Sequence, residues 1–135
     1  MKVLLTGHSG FIGQNLLKYL LKKKINLFVT KHNNIKIFGK KNINIIDLNN
    51  RLNQKNYLTD FDLVIHAAWS SLENYNSTNH LKKILPENIK FLKKLIYLGA
   101  KNLVVLGTCF ELGDCFGEVK ETQIMKPNTQ YGKAK

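Results

Sequence analysis

The chain has 135 residues, 44% of them hydrophobic, and a formal net charge of +12, which is room for one domain around a single core and too little for two. No apolar run approaches the roughly 18 residues needed to cross a bilayer, and the opening "MKVLLTG" meets glycine well short of the roughly 7 to 15 apolar residues of a secretory leader, so a cytoplasmic protein without a membrane partner is expected. Cys109 and Cys115 are too few for a disulfide framework and lack the close spacing of a zinc site, so reduced thiols and no metal are expected.

In chain order, "KVLLT" is a short apolar run that breaks at Gly7, and "FIGQNLLKYLLKKK" then sets Ile12, Leu16, Leu17 and Leu20 at helical spacing. Strand, glycine turn and helix are predicted. Further β-rich runs follow at 26–30, 43–47, 62–68 and 102–108, near-continuous apolar segments of the kind parallel strands show when covered on both faces. Between the last two, Leu81, Ile84, Leu85, Leu92, Leu95 and Ile96 mark one side of a long helix, with Lys82, Lys83, Lys90, Lys93 and Lys94 largely on the other. Pro86 either kinks this helix or begins its main segment, since proline fits a first turn but not an interior. Alternating strands and helices predict an α/β fold of Rossmann type: a doubly wound parallel sheet of about five strands in three α/β/α layers.

The net charge invites a nucleic-acid reading. Against it, Arg51 is the single arginine, and arginine carries most bidentate guanine contacts. The cations are also diffuse, although no Asp or Glu precedes Asp47. That suits a phosphate-rich small ligand as well.

The glycine turn "TGHSGFIG" follows a predicted strand and opens a predicted helix, the context a dinucleotide fingerprint requires. Gly7 suits the tight turn, Gly10 the approach of backbone to a pyrophosphate, and Gly13 close packing of helix on strand, with the amides of Phe11 and Ile12 at the helix start. An acidic residue about 20 positions on would bind a ribose 2′-hydroxyl. The sequence has Thr30, Lys31 and His32 there, so NADP is favoured over NAD, with exposed loop residues as the plainer alternative for Lys31 and His32.

The form T-G-x-x-G-x-x-G resembles the extended branch of the short-chain dehydrogenase/reductase superfamily, whose members are nucleotide-sugar epimerases, dehydratases and reductases. Asp47-Leu48 is similar to its acidic contact with the adenine ring, and His66-Ala67-Ala68 to its H-x-A-A segment beside the cofactor. Thr108 stands where the family places a catalytic Ser or Thr, and "YGKAK" matches Y-x-x-x-K with Tyr131 and Lys135. Leu112 replaces the tyrosine common before the glycine at Gly113. An asparagine found on the long helix in many members has no clean counterpart, Ile84 standing at its register and Asn88 one turn on.

The resemblance implies a nucleotide-sugar substrate, no nucleic-acid partner and a possible homodimer. It implies that Tyr131 is the acid/base, that Lys135 assists it and reaches the cofactor ribose, and that Thr108 orients the reacting oxygen. A free tyrosine has a pKa of about 10, so work near neutrality needs a phenolate stabilised by roughly 3 units, about 4 kcal/mol. An ammonium at i+4 on one helix face is the expected source.

Family members continue past this lysine. The resemblance therefore implies that residues 1–135 are an incomplete NAD(P)-binding domain ending within the catalytic helix, with the substrate region absent and the run at 102–108 left as a sheet edge. A non-catalytic dinucleotide-binding or redox-sensing module is the alternative. Cys109 is expected as a buried thiol rather than a nucleophile, His66 as a structural residue, and Trp69 either lining a substrate entrance or capping the core.

Overall fold

The computed structural model describes residues 1–30, 43–46, 60–97 and 99–135. Its elements are β1 (Lys2–Thr6), α1 (Phe11–Leu20), β2 (Asn26–Thr30), β3 (Ile43–Ile46), β4 (Leu63–His66), a π-helical turn (His80–Ile84), α2 (Leu85–Tyr97), β5 (Leu103–Val105), a 3-10 turn (Cys109–Glu111) and α3 (Gln130–Ala134). All strand pairs are parallel, in the order β3-β2-β1-β4-β5. This is the order of a doubly wound sheet, and it reverses between β1 and β4, the crevice at which such folds bind ligands.

The chain divides into two compact units, residues 1–68 with 93–106, and residues 69–92 with 107–135. In the first, the apolar runs give strands because β-branched and leucine side chains pack well on a pleated surface covered on both faces. One face buries Val3, Leu5, Leu27 and Val29 against Leu17 and Leu20 of α1. Each such side chain stabilises by about 1.5–3 kcal/mol relative to exposure. Leu4, Phe61, Val64 and Leu95 are buried as well, and Phe28 meets Phe61 edge to face at 5.4 Å. Ile12 and Ile96, which the helical spacing assigns to apolar faces, are exposed. β5 is outermost in the described sheet, with Val104 and Val105 exposed.

Pro86 is the second residue of α2 and begins its main segment, following the π-helical turn. The Leu85 N–H already donates to the His80 carbonyl, so Pro86 lies within a continuous helical run, and the wider π-helical turn before it is where the ladder adjusts to its missing N–H.

At the start of the sheet, Asp62 accepts hydrogen bonds from the Lys2 backbone N–H at 2.7 Å and the Lys101 ammonium at 3.1 Å. The Lys2 amide, then Lys101, holds its carboxyl below the ordinary 3.8. A depressed folded-state pKa stabilises above the unfolded value and loses that contribution as pH falls through the folded one. Asp62→Ala is therefore expected to lower the urea midpoint at pH 7, with the difference from wild type closing below about pH 4.

Candidate functional site

The β1–α1 turn is built by glycine. Gly7 has φ +70°, and a side chain there would bring Cβ to 2.5 Å from the Ala67 carbonyl carbon and 2.6 Å from the Ala68 nitrogen. A side chain on Gly13 would overlap the Gly7 carbonyl. Gly10 differs: its backbone is extended and a Cβ would meet only the Gly7 carbonyl oxygen, at an ordinary 3.5 Å. The turn closes through Gly10 N–H to the Gly7 carbonyl at 3.0 Å, and no side chain caps the start of α1. Amides and positive helix potential at such an end suit an anionic phosphate.

Phe11 and Ile12, next in the turn, are exposed. Thr6 and His66 are register partners on β1 and β4, buried and joined Oγ1 to Nδ1 at 2.8 Å. His66 thus ties the carboxyl ends of the two switch-point strands together, and Ala67 and Ala68 lie beside Gly7. Thr30 closes β2, half-buried. Lys31, His32, Asp47 and Leu48 lie outside the described residues.

The second unit gathers Thr108, Tyr131 and Lys135. Thr129 caps α3, its hydroxyl accepting from the Gly132 N–H at 3.0 Å. The Lys135 N–H donates to the Tyr131 carbonyl at 3.1 Å, so the two side chains stand one helical turn apart. Tyr131 is buried, with ring centroids of Tyr75 at 5.4 Å, His80 at 5.3 Å, Trp69 at 5.9 Å and Phe110 at 6.0 Å. The Thr108 side chain acts on the phenol and favours its ionised form.

Burial pushes the Tyr131 phenol above its ordinary 10.0; the Thr108 side chain opposes this, and Tyr75, Glu111 and Cys109 add to it. Burial pushes the Lys135 ammonium down, against the favourable charge of Glu111. The expectation of a phenol drawn toward neutrality by its lysine is thus corrected. Desolvation of the phenolate prevails, and the Lys135 Nζ lies over the Trp69 ring, 4.7 Å from its centroid.

One further expectation changes. Cys109 is exposed rather than buried, because it opens a 3-10 turn instead of extending β5. Trp69 packs against Tyr131 and His80. Glu111 escaped notice: its Oε1 accepts the Thr108 N–H at 2.6 Å. The signal was present, since Thr108-Cys109-Phe110-Glu111 is a T-x-x-E capping pattern. Nothing in the local sequence marks His80 or Tyr75. Asn88 donates to the Ile84 carbonyl of its own helical segment at 2.8 Å.

The parallel order, the glycine turn at the switch point and the Thr-Tyr-Lys cluster define a dinucleotide-fold protein of the epimerase/dehydratase class. Residues 3–135 match the NAD dependent epimerase/dehydratase family, and the chain belongs to it. Among curated relatives from Aggregatibacter actinomycetemcomitans, it is similar to dTDP-6-deoxy-L-talose 4-dehydrogenase (NAD(+)), 26% identical over 100% of this chain and 52% of the relative. It is also similar to GDP-6-deoxy-D-talose 4-dehydrogenase, 32% identical over 100% of this chain and 45% of that protein. The chain thus spans about half the length of these relatives. Among solved structures, UDP-glucuronic acid 4-epimerase from Bacillus cereus, in complex with UDP-glucuronic acid and NAD, superposes with a TM-score of 0.78 at 23% identity, covering 99% of this chain and 48% of that one. Its fold is shared. No described helix is long and apolar enough to cross a membrane.

Proposed function

We propose that the chain supplies the cofactor-binding and acid/base part of an NAD(P)-dependent epimerase, dehydratase or reductase acting on a nucleotide sugar. The observation that carries this is the convergence of Thr108, Tyr131 and Lys135 in one unit, with Lys135 one helical turn from Tyr131. The glycine turn supplies a fitting cradle: Gly10 has room for a side chain yet lacks one, at an uncapped helix start.

A bound nicotinamide would accept or return hydride at a sugar carbon. Tyr131 exchanges the matching proton with the sugar oxygen. Its raised pKa keeps it protonated, so in this structure the phenol is placed to give a proton to a ketone. Thr108 orients that oxygen and steadies the phenol, and Lys135 supplies positive charge one turn away. In the first unit, Gly7, Gly10, Gly13, Phe11 and Ile12 would hold the dinucleotide, with Thr30, Lys31, Asp47, Leu48, His66, Ala67 and Ala68; for Tyr131 and Lys135 a cofactor contact is implied by the family resemblance.

The preference for NADP rests on two cations and no carboxylate after β2 in the sequence, whereas one curated relative is named for NAD(+). Titration with NADPH and NADH decides: tighter NADPH binding, reduced by Lys31→Ala, is expected, and equal or tighter NADH binding reverses the preference. Turnover is tested by supplying 4-keto and 4-hydroxy nucleotide sugars with the cofactor. Conversion that needs Tyr131 supports the proposal, and cofactor binding without any conversion favours the non-catalytic module. Cytoplasmic location and homodimerisation belong to the same proposal.

A further inference from the structure

Trp69 is the chain's single tryptophan, and it makes three directed contacts. Its face receives the Lys135 ammonium, 4.7 Å from the ring centroid. Its side meets the Tyr131 ring at 5.9 Å and 60°. Its indole N–H donates to His80 Nδ1 at 3.1 Å. Because Nδ1 accepts, the proton of His80 sits on Nε2, which donates to the Asn74 carbonyl at 2.9 Å. His80 is wholly buried. A hydrogen-bonded line therefore runs from the Asn74 backbone through His80 to the indole, and from its π face to the lysine.

We propose that Trp69 is a positioning residue of the acid/base centre, its indole anchored by His80 and holding the Lys135 ammonium on its face and the Tyr131 ring at its side. The proposal rests on the acid/base role given to Tyr131 and Lys135. A lysine stem has several rotatable bonds and loses much rotamer freedom when ordered. A carboxylate would hold the ammonium equally well, yet it would set a second negative charge near the phenol, where Glu111 already disfavours the phenolate. An aromatic face attracts the cation through its quadrupole and brings no net charge. Phenylalanine would keep the face and lose the N–H, leaving His80 Nδ1 without its donor.

The test is NMR on the chain, with Lys135 assigned through Lys135→Arg. In the unmutated protein, the Lys135 ε-methylene protons are expected upfield, with cross-relaxation to the indole. In Trp69→Leu the upfield shift disappears and the ammonium pKa falls by about 0.5 to 1.5 units, as loss of the cation–π contact disfavours the charged form. Trp69→Phe restores most of the pKa. An unshifted Lys135 methylene in the unmutated chain overturns the proposal, as does an unchanged Lys135 pKa in folded Trp69→Leu. Should Trp69→Leu fail to fold, the unmutated chain and Trp69→Phe decide. Failure of the acid/base role is separable: Tyr131→Phe would then turn over like wild type, whatever the NMR result.

Discussion

Gly13→Val is expected to disrupt the first unit and abolish dinucleotide binding together. A Cβ at this position overlaps the Gly7 carbonyl, so α1 must move away from β1 or the turn must open. Two terms compete. Replacing a helical glycine with a better helix former returns at most about 1 kcal/mol, whereas overpacking against backbone costs about 1–3 kcal/mol and sometimes more. The backbone cannot swing aside as a side chain can, and valine adds two methyl groups, so the cost prevails. A loss near 3 kcal/mol corresponds to roughly a hundredfold in an equilibrium constant. Thermal unfolding and NADPH titration of the variant measure both effects.

The same turn contains its own control. Gly10→Ala meets only an ordinary contact at 3.5 Å and keeps an extended backbone, so its melting temperature is expected to match wild type. If Gly10 is bare because a pyrophosphate must come close, the dinucleotide affinity of this variant falls while the fold holds. At Gly7 and Gly13 the backbone contacts, and at Gly7 the positive φ, already require glycine, so substitutions there do not separate loss of fold from loss of ligand.

Tyr131→Phe is expected to lower kcat by about 10²–10⁴, the usual contribution of a positioned acid/base group. Phenylalanine retains the ring packing against Tyr75, His80, Trp69 and Phe110. It loses the hydroxyl on which Thr108 acts. The pH dependence follows from the direction of the shift. A phenol raised above 10.0 remains a proton donor throughout neutrality, so ketone reduction by wild type should hold its rate up to about pH 10 and fall above it. Tyr131 also links to stability with the same sign. A raised folded-state pKa gives a contribution fully present below the unfolded value and lost as pH rises through the folded one. Steady-state rates across pH, on wild type and the variant, check the first expectation.

The sheet was legible because each strand is a short apolar run and each turn carries glycine or polar residues. Strand boundaries came within two or three residues, the largest discrepancy being the end of β5, where the 3-10 turn capped by Thr108 takes over. The glycine turn was legible in detail, since Gly7 and Gly13 answer to steric demands that leave glycine as the one residue that fits. Ile12 and Ile96 were misplaced because helical spacing names a face without saying what covers it.

The environment of Tyr131 was less readable. A Y-x-x-x-K spacing fixes that two side chains share a helix turn, but not how dry the phenol is or which way the lysine leans. Those depend on Trp69, Tyr75 and His80, which reach Tyr131 from a segment over 50 residues earlier in the sequence. Glu111 was within reach of sequence reasoning through its capping pattern. Its electrostatic influence on both Tyr131 and Lys135 arises only once the fold brings the 3-10 turn beside α3.

The central claim is that the β1–α1 turn cradles a nicotinamide dinucleotide, and backbone amide NMR during NADPH and NADH titration tests it most directly. Saturable binding that moves the amide signals of Gly7, Gly10, Phe11, Ile12 and Gly13, and that weakens in folded Gly10→Ala, is the predicted result. Absence of binding by either cofactor, or binding that leaves those amides unmoved, would contradict it.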